Sequence, residues 1–111
     1  MGSNARVLNV TGVADSQIFV GNASGEIKLY DCRNSSVFKL HDIGKEVNNY
    51  NLNYKKNLIA CSTMDGIKKI ALDGLIERDH QDFVGNVRCL KFVPFKDDCA
   101  YSTGSINIGF A

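Results

Sequence analysis

The chain repeats a strand-turn-strand pattern about every 40 residues, and this spacing restricts its fold more than any other feature of the sequence. Short apolar runs surround Gly25, Gly66 and Gly104, which lie 41 and 38 residues apart. In each copy a polar turn near the glycine separates two runs rich in β-branched and aromatic residues. Such runs favour strands, and no window shows convincing helical periodicity. The sequence therefore predicts a repeated all-β unit.

Further strands flank each central hairpin. An apolar run opens each repeat, at 7–10, 47–52 and 87–93, and the last two superimpose without a gap as Val-x-x-Tyr-x-Leu and Val-x-x-Leu-x-Phe. An outer run follows the hairpin at 37–40 and again at 75–77. Four strands in about 40 residues are the make-up of one β-propeller blade. We therefore predict a partial propeller over residues 1–111, with blades at about 5–41, about 45–80 and, incomplete, about 86–111.

The repeats resemble those of the WD-repeat β-propeller family over nearly the whole chain. The stretch 18–31 resembles a central WD hairpin, with Tyr30-Asp31 at the Trp-Asp position, and 87–94 resembles an opening strand with its proline turn. Asp65-Gly66 matches the usual acidic turn residue and glycine, and His41 and His80 fall between the expected blades. The resemblance implies an all-β fold of four-stranded antiparallel blades, about two and a half of them. It also implies that a histidine and a turn aspartate brace each blade by hydrogen bonds to a strand Ser or Thr and a Trp.

The repeats depart from the family pattern at several positions. The chain has no Trp, and Leu40 and Asp79 precede the two histidines where the family carries glycine. Ser24 replaces the turn aspartate of the first repeat. Residues 67–72 are out of step with the usual alternation by one residue, and the third hairpin turn is shorter.

Charge and hydropathy exclude several classes of protein. With 13 basic and 12 acidic side chains the formal net charge is +1, which argues against a dedicated nucleic-acid or anionic-membrane surface. No apolar run approaches the roughly 18–20 residues that span a bilayer, and the first residues lack the pattern of a secretory signal. We therefore expect an intracellular protein of the cytoplasm or nucleus, with no nucleic-acid or membrane partner.

The four cysteines do not predict a metal site. None forms a C-x-x-C pair, and neither histidine stands at zinc-ligand spacing from one. Cys61, Cys89 and Cys99 fall within apolar segments and are interpreted as buried thiols in a reducing compartment; a disulfide is the alternative. We predict no metal and no cofactor.

Signatures of catalysis are missing, so we predict a protein that is not an enzyme. There is no G-x-S-x-G elbow, no H-E-x-x-H and no glycine-rich phosphate loop. Asp97-Asp98 and His80 are interpreted as turn and loop residues. One alternative is a ligand site in the central channel, for which the only dense polar group is Asn48, Asn49, Asn51 and Asn53. An alternating asparagine-rich strand is more typical of a solvated face.

The predicted architecture favours a scaffold that docks partner proteins or peptides within a multisubunit complex, a conclusion by analogy. Aromatic and arginine side chains in or beside predicted loops are the candidate contacts: Arg33, Arg78, Phe83, Arg88 and Phe95. The alternative function is a structural segment that completes the propeller of another subunit or of a homo-oligomer. Propellers close with about 4–8 blades, so we favour a piece of a longer propeller, whose further blades then count among the partners.

Overall fold

A computed structural model of the chain describes residues 5–14, 16–53, 55, 57–82, 87–94, 96–103 and 108–111. The described residues form three antiparallel sheets whose strands follow one another in chain order. Phe83, Phe95 and the third hairpin turn around Gly104 lie outside the described residues. No helix in the described part of the chain is long and apolar enough to cross a bilayer.

The first two sheets each contain four strands, and the third contains three. The first sheet consists of β1 (Val7–Ala14), β2 (Gln17–Asn22), β3 (Glu26–Asp31) and β4 (Ser36–Asp42). The second sheet consists of β5 (Val47–Asn53), β6 (Leu58–Thr63), β7 (Gly66–Ala71) and β8 (Ile76–Asp82). The third sheet consists of β9 (Cys89–Phe92), β10 (Cys99–Ser102) and β11 (Gly109–Phe110). The all-β prediction of about two and a half antiparallel units is confirmed.

Residues 67–72 are displaced by one residue from the usual alternation because the two hairpin turns differ in length. Gly25 closes the turn between β2 and β3, whereas Gly66 is already the first residue of β7 and pairs with Thr63. The second turn is therefore one residue shorter, and aligning the two glycines displaces the strand that follows. In the sheets, Glu26 pairs with Asp42 as Gly66 pairs with Asp82. The two outer hairpins thus correspond residue for residue.

The outer strands are longer than the sequence predicted, and this corrects the positions of both histidines. β4 runs to Asp42 and β8 to Asp82, so His41 and His80 lie within strands and not between sheets. His41 Nε2 lies 3.0 Å from Glu77 Oε2 of the second sheet, so this contact joins two sheets.

Polar side chains brace the two hairpin turns without the family's network. The Asn22 Oδ1 atom accepts hydrogen bonds from the backbone N–H groups of Ser24 and Glu26, at 3.1 and 3.0 Å. In the second sheet Thr63 Oγ1 accepts the backbone N–H of Asp65 at 3.1 Å. Asn and Thr often satisfy turn backbone in this way, which explains how the turns form without a Trp.

The sheets pack face to face and bury two apolar cores. The core between the first and second sheets includes Phe19, Ile27, Tyr50, Ile59 and Ile70. The core between the second and third sheets includes Ala60, Ile67, Val87, Leu90 and Cys99. Each central strand of the second sheet therefore contributes to both cores, which explains why all six residues of β6 are buried.

The outward faces of the two end sheets carry exposed apolar side chains. On the first sheet Val10 is 63% exposed, although its counterpart in the second sheet, Tyr50, is buried. On the third sheet Ile108 and Phe110 are also exposed. Residue positions that are buried between neighbouring sheets are therefore exposed on the outer faces of the first and third sheets.

The cysteines divide into two exposed and two buried thiols. Cys61 and Cys99 are buried, but Cys89 is exposed, so its predicted burial was wrong. The reason is the alternation of β9: Leu90 and Phe92 face the second sheet, which turns Cys89 outward. All four thiols are free, and Cys32 is exposed as well.

A thiol reagent is expected to modify Cys32 and Cys89 in the folded chain, and Cys61 and Cys99 only after unfolding. Burial raises the pKa of Cys61 to about 12 and that of Cys99 to about 11, which removes the reactive thiolate at neutral pH. Mass spectrometry after timed alkylation measures this order. Rapid modification of Cys61 at the rate of Cys32 would contradict the packing of the first core.

Candidate docking groove between the second and third sheets

Asparagine side chains of β5 join neighbouring sheets at their first strands. Asn49 Nδ2 donates to the Val87 carbonyl oxygen at 2.9 Å, and Asn51 Oδ1 accepts the Phe92 N–H at 2.9 Å. Asn53 Nδ2 lies 3.3 Å from the Lys96 carbonyl oxygen. The interpretation of this strand as a solvated face was wrong for Asn49 and Asn51, because their part-buried amides satisfy backbone groups of the segment that opens the third sheet. Asn48 is exposed.

These asparagine hydrogen bonds form a seam between β5 and residues 87–92. A groove of about 450 Å³ opens at the end of this seam. Its lining comes from the last residues of β5 with Lys55 on one side and from β9 with the turn after it on the other: Asn51, Leu52, Asn53, Lys55, Lys91, Phe92, Val93 and Pro94. Leu52 and Phe92 are half-buried, since each packs against one of the two cores. Two of the apolar residues that line the groove are therefore held in place by core packing.

The ionisable residues in the described part of the lining are Lys55 and Lys91, both exposed. Neither forms an ion pair within the described part of the chain, whereas Lys45 pairs with Asp65 and Lys68 with Glu77. Three other clefts each carry a carboxylate in their lining, from Glu26, Asp73 or Glu77. Among the residues that the structure describes, the lining of this groove contains two lysines and no acidic residue.

Arg78 lines a separate, more open cleft at the outer edge of the second sheet. It is the additional residue of a β-bulge, since Lys69 pairs with Asp79 and Ile70 with Glu77. The cleft also contains Lys45, Lys68, Glu77 and His80. Burial raises the pKa of Glu77, but hydrogen bonds from Lys68 and His41 outweigh it and leave the pKa below its usual value. Glu77 is therefore a carboxylate at neutral pH, and it offsets the positive charge of this cleft.

The three candidate arginines are not brought together. Arg33 lies in the turn between β3 and β4, where its guanidinium binds Asp31 through two hydrogen bonds of 2.9 and 3.1 Å. That contact holds the pKa of Asp31 below its usual value. Arg88 is exposed immediately before β9, and Arg78 lies on β8, so the three arginines belong to three sheets. Phe83 and Phe95 lie outside the described residues.

Sequence reasoning missed the groove residues for identifiable reasons. In the sequence Lys55 has one basic neighbour, Lys56, and such a pair is too short to indicate a basic patch. Lys91 lies 36 residues further along, and only the packing of the second and third sheets brings it to the same groove. The matched spacing of the two opening strands was the one signal that could have placed them side by side.

The described residues offer little for catalysis. Burial is the main cause that raises the pKa of Tyr50, whose hydroxyl donates to the Asn22 carbonyl oxygen at 2.8 Å. Within the described ranges, no three His, Cys, Asp or Glu side chains are arranged to hold a metal ion. The groove can bind through charge, amide hydrogen bonds and apolar contact, and the part of its lining that the structure describes has no carboxylate, imidazole or thiol.

Replacing Asn51 by leucine is expected to destabilise the chain by about 1–3 kcal/mol, because the Phe92 N–H loses its acceptor. Asn51→Asp is the matched control, since a carboxylate oxygen can still accept that hydrogen bond. Urea unfolding monitored by circular dichroism measures both variants. Equal loss of stability in the two would show that this hydrogen bond does not hold the seam.

Sequence comparison and structure comparison give different amounts of information. No protein-family model matches the chain, and no curated protein is significantly similar in sequence. Among solved structures, the computationally designed Ika8 protein superimposes with a TM-score of 0.76 at 18% identity, over 99% of this chain and 34% of its own. The WD40 repeats of RRP9 give a TM-score of 0.69 at 12% identity, over 91% and 33%.

The β-propeller domain of Cps50 (Swd1) from Myceliophteria thermophila gives a TM-score of 0.72 at 10% identity, over 91% of this chain and 33% of its own. The chain therefore spans about a third of each of these three chains. At these identities the likeness concerns the fold, and the three sheets correspond to consecutive blades. The protein has the fold of a segment of a WD40-type β-propeller, with two four-stranded blades and one three-stranded blade.

Proposed function

We propose that the chain is a segment of a protein-interaction scaffold and that it docks extended segments of partner proteins in the groove between the second and third sheets. The observation that carries this proposal is the lining of the groove. Apolar residues from both strands, Leu52 and Phe92, line it beside polar ones, at a seam that hydrogen bonds of Asn49 and Asn51 hold together. A concave site that combines apolar residues with polar residues able to fix orientation suits ligand binding.

The size of the groove favours part of a peptide over a large surface. About 450 Å³ is at the lower end of the range of small-ligand sites, which extends over roughly 300–1,000 Å³. Such a volume holds a few side chains, so the groove would read a short segment of a partner. The candidate residues Arg33, Arg78, Phe83, Arg88 and Phe95 would then contribute further contacts outside it.

The proposal treats the protein as a non-catalytic binding module whose partners are other proteins or further blades. Four free thiols suit a reducing intracellular compartment, the cytoplasm or the nucleus. Docking on a rigid scaffold needs no reacting group, which agrees with a groove lined by amines, amides and apolar side chains.

A displayed library of random peptides, selected on the folded chain, tests the function. Selected peptides are expected to shift the nuclear magnetic resonance signals of Leu52, Lys91 and Phe92, while those of Ser36 and Val37 on β4 stay unchanged. These two groups of residues belong to different sheets, so the comparison separates groove binding from a general effect. Selection of no peptide, or of peptides that shift only residues away from the groove, would refute the proposal.

A further inference from the structure

We infer that a second cleft, between the first and second sheets, binds a leucine or phenylalanine side chain of a partner peptide. This cleft has a volume of about 420 Å³ and shares no lining residue with the groove between the second and third sheets. Three features support a ligand here: the apolar lining, a β-bulge that adds an aromatic residue to it, and the balance of its charges. Binding at this cleft does not require the groove to function.

Three apolar residues that line the cleft are supported by a single core. Leu29 of β3 and Leu72, directly after β7, are buried members of the core between the first and second sheets. Val13 of β1 packs against the same core. Their positions are therefore fixed by packing before a ligand arrives. A lining that is ordered in the free protein lowers the entropic cost of binding.

A β-bulge brings an exposed aromatic side chain to the same cleft. Consecutive residues of β3 pair with Lys39 and Val37 of β4, so Phe38 between them is the additional residue of the bulge. Phe38 and Lys39 both line the cleft, although strict alternation would place consecutive residues on opposite faces of the sheet. Phe38 is 47% exposed, so part of its ring is open to a ligand.

The charges of the lining favour an uncharged ligand. The described part of the lining contains one lysine, Lys39, and one aspartate, Asp73, so the two formal charges cancel. A charged side chain that entered beside Leu29 and Leu72 would lose hydration, and no excess of opposite charge would offset that loss. An aliphatic or aromatic side chain carries no such cost, and its burial is favourable.

A peptide suits the cleft better than a further blade does. Further blades would pack on the outer faces of the first and third sheets, where apolar side chains are exposed, whereas this cleft lies between two sheets that are already packed together. Gln17 and Asn57 also line the cleft, and each side-chain amide can donate and accept hydrogen bonds with a peptide backbone. Apolar residues with a few polar groups that fix orientation are typical of ligand sites.

Titration with blocked amino acids, followed by nuclear magnetic resonance, tests this chemistry. The probes are the N-acetyl amides of leucine, phenylalanine, alanine, glutamate and lysine, which share a backbone and differ in the side chain. The leucine and phenylalanine amides are expected to shift the signals of Val13, Leu29 and Leu72. Their Kd values should be at least about tenfold lower than that of the alanine amide, because burial of the additional carbon atoms favours binding. The glutamate and lysine amides should bind no more tightly than the alanine amide.

Paired variants on β4 identify the cleft as the place of binding. Phe38→Ala removes the exposed ring and is expected to raise the Kd of the leucine amide at least about threefold. Val37→Ala is the matched control, since Val37 is 44% exposed but does not line the cleft, and it should leave the Kd unchanged. The melting temperature of each variant shows whether it is folded. If Phe38→Ala does not fold, the signals shifted in the unmodified chain still locate the ligand.

The outcomes separate this cleft from the proposed function. An alanine amide that binds as tightly as the leucine amide would overturn the inference. A leucine amide that shifts Leu52 and Phe92 but leaves Leu29 unchanged would overturn it too, while the docking function of the groove stands. If library selection yields no groove binder but the leucine amide shifts Leu29 and Leu72, the proposed function fails and the second cleft is supported. Nuclear Overhauser contacts from another segment of the chain to the apolar lining would mean that the chain itself fills the cleft, and the inference would be wrong.

Discussion

Replacement of Gly25 by alanine is expected to lower the free energy of unfolding by about 2–5 kcal/mol, which sums one strained backbone position and one steric overlap. Gly25 has a φ of 95°, in the left-handed region that a side chain disfavours. A Cβ atom there would also overlap the backbone carbonyl oxygen of Lys45, which cannot turn aside as a flexible side chain would. The backbone strain and the steric overlap both arise in the turn between β2 and β3.

The overlap matters because this turn forms hydrogen bonds with the linker, residues 43–46, that joins the first and second sheets, and with the strand that follows it. The Ile43 N–H donates to the Gly25 carbonyl oxygen at 2.9 Å, and the Val47 N–H donates to the Ala23 carbonyl oxygen at 2.9 Å. Moving the linker away from a new Cβ would therefore break backbone hydrogen bonds at the start of β5. The first and second sheets share one core, so the loss extends beyond the turn.

Two other glycines separate the contributions. Gly44 has a φ of 82° but open space where an added Cβ would lie, so Gly44→Ala should cost only the backbone strain, about 1–2 kcal/mol. Gly12→Ala meets neither strain nor contact and should change stability by about 0.5 kcal/mol or less. Urea unfolding of the three variants measures the order. If Gly25→Ala lowered the free energy of unfolding no more than Gly44→Ala does, the linker would not pack against the turn around Gly25.

The architecture was predictable because its signals are local. A period near 40 residues, short β-branched runs and turn residues give the strand order of the first two sheets before any packing is known. The slip at 67–72 could be seen but not explained, because a turn shortened by one residue and a strand shifted by one residue look identical in sequence. Only the pairing of Gly66 with Asp82 decides between them.

The candidate groove was not predictable because none of its properties is local. Asn49 and Asn51 alternate with apolar residues as they would on a solvated face, and their partners lie on a strand about 40 residues later. Whether an amide binds water or the next sheet depends on that strand. The same holds for Cys89, whose apolar neighbours suggested burial while the alternation of β9 turned it outward.

Phe19→Ala is expected to have the other large effect, a loss of about 3–5 kcal/mol. Phe19 is fully buried between the first and second sheets, and its ring meets that of Tyr50 edge to face with centroids 5.6 Å apart. The space is closely filled, since a Cβ added at Gly21 would approach the Tyr50 ring at 2.8 Å and the Phe19 ring at 3.0 Å. Removal of the ring therefore leaves a cavity in a closely packed core.

The effect should also couple to the hydroxyl of Tyr50, which bonds the Asn22 carbonyl oxygen at 2.8 Å. Tyr50→Phe alone should cost about 1 kcal/mol, and less when Phe19 is already alanine, because the ring is then no longer held over that carbonyl. Phe110→Ala, at a side chain 67% exposed, is the control and should cost about 0.5 kcal/mol or less. Urea unfolding of the four variants measures each loss and the coupling. Additive losses would mean that Phe19 fills the core without positioning Tyr50, and equal losses for Phe19→Ala and Phe110→Ala would mean that the first two sheets do not share this core.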